Sequence, residues 1–231
     1  MTWQGFYKHQ TFGLRKEWLA LWLTHPKDWE EVGGLGPRQV DSLRVWLKTT
    51  GLLDKEGKPT PLAQAFKEQG LEELALWEKL WVNVVFNFAT ARWYVLRLGK
   101  GSWSISELLE KLAADFPHYK RRTLKNGLQE LVGLLERTPV GKELQQGKVE
   151  RKGRQREISR EGYPYLSEEA VKLALQRLNK ETGRDRFRLD EELPFPWIIF
   201  GGKPKDLFRQ LMANGRPLFS LDGETFSLKE L

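Results

Sequence analysis

Apolar positions recur at helical spacing through most of the chain. Leu14, Trp18, Leu21 and Trp22 fall at i, i+4, i+7 and i+8, which predicts a helix that stops before Pro26, because the residue ahead of a proline is pushed out of the α region. After Gly33 to Gly36, Pro37 is suited to open a second helix with Val40, Leu43 and Leu47 inward and Gly51 just past its end. Leu52 to Leu62 reads as a short strand, a polar turn and a return strand. From Leu71 a long helical run is apolar around most of its circumference through Trp77, Leu80, Trp81, Val84, Val85 and Phe88, the pattern of a central packing element.

Gly99-Lys100-Gly101 breaks the chain, and Ser104 with Glu107 three residues on is a capping-box signature ahead of Ile105, Leu108, Leu109 and Leu112. Phe116-Pro117 ends that helix; Leu124, Leu128, Leu131 and Leu135 mark the buried edge of the next. Lys148 to Arg160, broken at Gly153, reads as a wing. The order helix, helix, wing therefore occurs twice. From Gly162 the composition shifts: Tyr163-Pro164-Tyr165 as a rigid linker, a helix from Ser167-Glu168-Glu169 to Thr182-Gly183, an apolar strand candidate at Phe195 to Phe200, a helix from Lys205 to Ala213, and a hairpin from Leu218 to Leu228 turning at Asp222-Gly223. The expected fold is mainly α with small β-hairpins: tandem winged-helix-like units at 1–99 and 100–161, and a small α+β unit at 162–231.

Composition narrows the chemistry. With no cysteine among 231 residues, a disulfide framework, thiolate-bound zinc and cysteine nucleophiles are excluded, and a reducing cytoplasm is the expected compartment. Met1 to Arg15 has no apolar core of a secretory signal, and charges interrupt the Leu71 to Leu98 stretch too often for a bilayer. The ten tryptophans mostly sit at helical spacing beside leucine or valine and are expected to fill core. Only His9, His25 and His118 are present, without a matching carboxylate pattern, and neither glycine stretch has phosphate-loop spacing. No enzyme, metal or cofactor is expected.

The net charge of +7 makes polyanions the natural partners, and its distribution sharpens this. Between Lys120 and Arg160 there are twelve basic residues against five acidic, so the rest of the chain is close to neutral. At about 100° per residue, Arg122, Lys125, Asn126 and Gln129 cluster opposite the leucine edge of their helix. Arg and Lys suit phosphates and guanine edges, and Asn and Gln suit adenine, so this is the composition of a recognition helix. The candidate nucleic-acid contacts are Lys120, Arg121, Arg122, Lys125, Asn126 and Gln129, with Arg151, Lys152, Arg154 and Arg156 on the wing. In the first unit Arg38, Gln39, Arg44 and Lys48 share a helix with Asp41, which fits a second DNA contact or a protein-binding surface equally.

The segment Lys8-His9-Gln10-Thr11-Phe12-Gly13-Leu14-Arg15, followed by Trp18-Leu19, resembles the N-terminal His-Gln-Thr-Phe-x-x-Arg signature of an uncharacterised bacterial and archaeal domain-of-unknown-function family. Arg44 to Leu47 leading to Gly51-Leu52-Leu53, Ala89-Thr90-Ala91 with Trp93-Tyr94, and Leu124 to Leu135 are similar as well. Lys8 stands where a glycine is usual, and Gly13 where a proline is often found. The resemblance implies helical, winged-helix proteins encoded beside phosphoadenosine-phosphosulfate-reductase-like proteins in DNA phosphorothioation and phage-defence modules. The expected role is a non-catalytic DNA-binding component with double-stranded DNA as partner; an adaptor subunit, with such a reductase-like protein or other defence-complex subunits as partner, and a transcriptional regulator are the alternatives. His9, Gln10, Thr11 and Arg15 form a dense polar cluster, read either as a partner or phosphate contact or as a cap satisfying a neighbouring helix.

Overall fold

The computed structural model describes residues 5–153, 155–213, 219–222 and 225–228. It is mainly helical with two small antiparallel sheets. Helix α1 (Lys16–Thr24) and the single turn α2 (Trp29–Val32) precede α3 (Pro37–Thr49), which begins on its proline as the sequence predicts. The predicted hairpin after it shrinks to one isolated bridge, Leu53 to Pro59. Its return strand is pre-empted by α4 (Pro61–Gln69): Thr60 accepts from the backbone N–H of Ala63 and Pro61 is preset for a helical first turn, so capping prevails over extension.

The long apolar run is two helices, α5 (Leu74–Asn87) and α6 (Ala89–Arg97), separated by Phe88 in extended conformation. Phe88 still donates to Val84 O at 2.9 Å and accepts from Arg92 N at 3.0 Å, so the chain turns without orphaning those groups. Trp46, Trp77, Trp81 and Trp93 are fully buried. Each indole N–H has an acceptor: the carbonyls of Phe12, Leu71 and Ile199 at 2.8, 2.9 and 3.1 Å, and the Asp115 carboxylate at 2.7 Å. That pairing lets large rings fill a core without the cost of an unmet donor.

β1 (Gly101–Ser104), α7 (Ile105–Asp115), α8 (Arg121–Arg137), β2 (Lys148–Lys152) and β3 (Gln155–Arg160) follow, with β3 central in the sheet order β1-β3-β2. The capping box forms as read: Ser104 N donates to Glu107 at 2.7 Å, and Glu107 N donates to Ser104 Oγ at 3.2 Å. Then come α9 (Glu168–Thr182), capped by Ser167 and ended by left-handed Gly183, and β4 (Arg186–Arg188). The strand expected at Phe195 to Phe200 is instead the short helix α10 (Pro196–Phe200). Proline at its first position favours the helix, and a run buried on nearly all sides carries no periodicity to separate strand from helix. α11 (Pro204–Ala213), β5 (Phe219–Asp222) and β6 (Thr225–Leu228) complete the fold in the sheet order β4-β6-β5; Gly223 of the predicted turn lies outside the described residues. Among the described residues no helix is long and apolar enough to cross a membrane.

Candidate nucleic-acid interface

α8 divides into two environments. Leu124, Leu128, Leu131 and Leu135 are buried as predicted, while Lys120, Arg121, Arg122 and Lys125 are exposed and Asn126 and Gln129 half-buried. Arg121 is held in a two-pronged ion pair with Glu110 of α7, one arm at 3.1 Å, so part of its charge is already answered. Hydrogen bonding to that guanidinium lowers the Glu110 pKa. Arg122 and Lys125 have no ion-pair partner among the described residues.

The β2-β3 hairpin stands beside this face. Lys125 and Gln129 of α8, Ser104 and Leu109 of α7's start and middle, and Gln155 and Arg156 of β3 line one groove of about 400 Å³. Arg151 lies directly opposite Arg156 in the β2-β3 register. Like charges facing each other across a ladder repel, and an anion placed between them relieves the repulsion. Arg156 also reaches Glu136 at 3.4 Å, a long and exposed ion pair. The Lys152 side chain and Arg154 lie outside the described residues.

Arg160, counted with the wing cations in the sequence, does not belong to that surface. It is 1% exposed and donates to Gln146 Oε1 at 3.2 Å and to the carbonyls of Gly99, Ile198 and Ile199 at 3.0, 2.8 and 2.9 Å. Burial pulls its pKa down to about 10. The sequence holds the signal for this: Ile158 is two residues earlier, and strand alternation puts Arg160 on the same inward face.

The N-terminal polar cluster is corrected more strongly. His9 is fully buried, so it is not a partner or phosphate contact. It stacks on Trp46 with centroids 3.6 Å apart and planes at 11°, with Phe88 edge-on. The residue it serves, absent from the sequence reading, is Glu130 of α8, also 0% exposed. The Glu130 carboxylate accepts from the backbone N–H groups of His9, Thr11 and Lys8 at 2.6, 3.1 and 3.2 Å, and from His9 Nδ1 at 2.9 Å. With Nδ1 donating, His9 Nε2 accepts from the Thr49 hydroxyl at 3.0 Å. Burial pushes the His9 pKa down against the opposing pull of Glu130, so the ring is neutral at pH 7.

Gln10 and Thr11 have positive φ, the tight turn that wraps three N–H groups around one carboxylate. Their side chains are half-buried; the Thr11 hydroxyl donates to the Gln10 carbonyl at 2.5 Å, and Arg38 donates to the same carbonyl at 3.3 Å. Arg15 lies over the Trp18 ring at 4.8 Å, with its pKa lowered by burial and then by Arg137. The cap reading does not describe this arrangement either: what His9 and Thr11 satisfy is the Glu130 side chain in the middle of α8, not the backbone donors or carbonyls of a helix end.

The same segment fixes where the exposed face of α8 ends. Contact runs in one direction along the helix: Phe6 against Gly127, His9 against Glu130, Gly13 against Gly133. A Cβ at Gly127 would meet Phe6 O at 1.9 Å, and one at Gly13 would meet Gly133 C at 2.2 Å. Those glycines let backbone cross helix. At about 100° per residue this path winds onto the sector of Arg122 and Asn126 by Gly133, so the open cationic face spans Arg122 to Gln129.

Among the described residues no three His, Asp or Glu side chains gather as metal ligands. No protein-family model and no curated protein matches the chain. In fold the chain is similar to a solved crystal structure of SspB, with a TM-score of 0.68 and 16% sequence identity over 98% of this chain and 84% of that one.

Proposed function

We propose that the chain is a non-catalytic, cytoplasmic DNA-binding component of a prokaryotic DNA modification system of phosphorothioation type, or of a related phage-defence system. The observation that carries this reading is the groove between Lys125 and Gln129 of α8 and Arg156 of the β2-β3 hairpin, with exposed Arg122 on the same face of α8 and Arg151 opposite Arg156 in the strand register. From α6 to β3 the order is helix, strand, helix, helix, strand, strand, which is the order of a winged helix with α8 in the recognition position. In that arrangement α8 enters a major groove, where Lys125, Asn126 and Gln129 meet base edges and Arg122 a phosphate or guanine. The hairpin arginines follow the adjacent backbone. The module context rests on the resemblance carried by His9 to Arg15. The likeness to SspB is one of fold.

The test is binding of the full chain to labelled double-stranded DNA at several salt concentrations. Log affinity is expected to fall linearly with log salt by about 0.9 per phosphate contact. An affinity for duplex that is insensitive to salt, or that is unchanged in R122A/K125A, removes the reading. Co-purification with a reductase-like subunit that is lost in the same double variant, with DNA affinity intact, supports the adaptor role in its place.

A further inference from the structure

Away from the α8 groove, a cleft of about 930 Å³ opens between α3 with the turn that follows it, the end of α5, and α9. Six cations and two carboxylates line it. Arg44 is neutralised by Glu30 and Asp41, and Asp54 is occupied in its own turn, accepting from Lys58 N at 2.7 Å. Lys8, Lys48, Arg177 and Lys180 have no ion-pair partner among the described residues. What three of them touch is neutral: Lys8 Nζ donates to Asn87 O at 2.9 Å, Lys48 Nζ to Lys55 O at 3.3 Å, and Arg177 to Asn87 Oδ1.

The cleft is built as well as charged. Arg177 lies against the Phe86 ring at 5.4 Å, and Arg92 is at the same distance from that ring. Arg92 is in turn fixed by Glu181. Arg177 is thereby an oriented guanidinium, which keeps ordering cost low when it binds an anion. Asn83 and Asn87 spend their amides on the carbonyls of Thr50 and Thr49 at 3.0 and 2.8 Å, fixing the floor. Burial lowers the pKa of both Lys8 and Arg177, so the cleft holds these charges at a cost that an anion offsets.

The cations come from two walls, Lys48 on α3 and Arg177 with Lys180 one turn apart on α9, and the volume is at the upper end of the roughly 300–1,000 Å³ of small-ligand sites. Charge spread over two walls suits repeated phosphates better than one compact acid. We propose that the cleft between α3 and α9 is a second phosphate-binding site, in which Lys48, Arg177 and Lys180 hold backbone phosphates of a polynucleotide strand. This site stands independently of the α8 face.

The test is fluorescence anisotropy of the full chain with a labelled oligonucleotide, single-stranded and duplex, alongside calorimetry with inorganic tripolyphosphate. The variants are K48Q/K180Q and R122A/K125A. Lys48 and Lys180 are exposed, so the first variant should unfold at the temperature of the parent chain, which thermal denaturation checks. K48Q/K180Q should weaken oligonucleotide binding roughly tenfold or more and weaken tripolyphosphate binding in parallel, whereas R122A/K125A leaves tripolyphosphate binding unchanged. An unchanged oligonucleotide affinity in K48Q/K180Q overturns the proposal; if tripolyphosphate binding is lost alone, the cleft belongs to a free polyphosphate or nucleotide. Loss in K48Q/K180Q with no loss in R122A/K125A leaves the cleft standing and removes the α8 reading.

Discussion

Gln129 and Glu130 are consecutive on α8 and meet opposite surroundings: Gln129 borders a solvent groove, and Glu130 is sealed under the N-terminal segment. Both are polar, and both lie between Leu128 and Leu131 in sequence. The difference lies in what desolvates them. Glu130 loses water entirely and is compensated by four N–H donors, three of them backbone, so its charge is structural. On the Gln129 side Arg122 and Lys125 keep water and have no internal partner, so their charge is available to a ligand. Exposure without compensation, rather than polarity, separates a binding face from a brace.

The sharpest way to break this comparison is Glu130→Ala. It leaves three backbone N–H groups and His9 buried without an acceptor, at a cost of about 3–5 kcal/mol, and urea denaturation reads the loss directly. A loss under about 1 kcal/mol means the brace carries little. The pH dependence has a definite sign. Because burial holds His9 below the ordinary 6.5, the unfolded chain takes up that proton first. Stability is then complete above that value and declines on acidification through it. Unfolding midpoints that stay flat from about pH 6.5 to 5 contradict a neutral, buried His9.

Gly127→Ala tests the crossing itself. The new methyl would sit 1.9 Å from the Phe6 carbonyl, a backbone atom that cannot rotate away. The expected destabilisation is about 1–3 kcal/mol, with duplex affinity of the folded protein retained. A folded variant that loses DNA binding instead shows that the segment shapes the groove as well as bracing the helix.

On the open side, R122A/K125A should leave thermal stability nearly unchanged and weaken duplex binding by about 1 kcal/mol or more for each contact, measured by anisotropy. Smallest of all is Glu136→Gln. It releases Arg156 from a 3.4 Å exposed pair, so duplex affinity should rise by only a few tenths of a kcal/mol. A fall in affinity would show that the pair aims Arg156 rather than occupying it.

The sequence by itself determined the local elements: α3, α7 and α9 begin and end, and α1 ends, within a residue or two of where prolines, glycines and capping residues mark them. It also located the exposed face of α8, because leucines at helical spacing leave only one side for Arg122 and Lys125. Where apolar residues continue on all sides, at Phe88 and at Pro196 to Phe200, it did not settle the element, since a buried run has no polar face from which a period can be read. Tertiary structure alone decided which charges are spent. Nothing near Glu130 in sequence announces His9, 121 residues away, and nothing near Lys48 announces Arg177 across the cleft. Desolvation and pairing depend on what is brought together in space, and a linear pattern of charges carries no record of its distant neighbours.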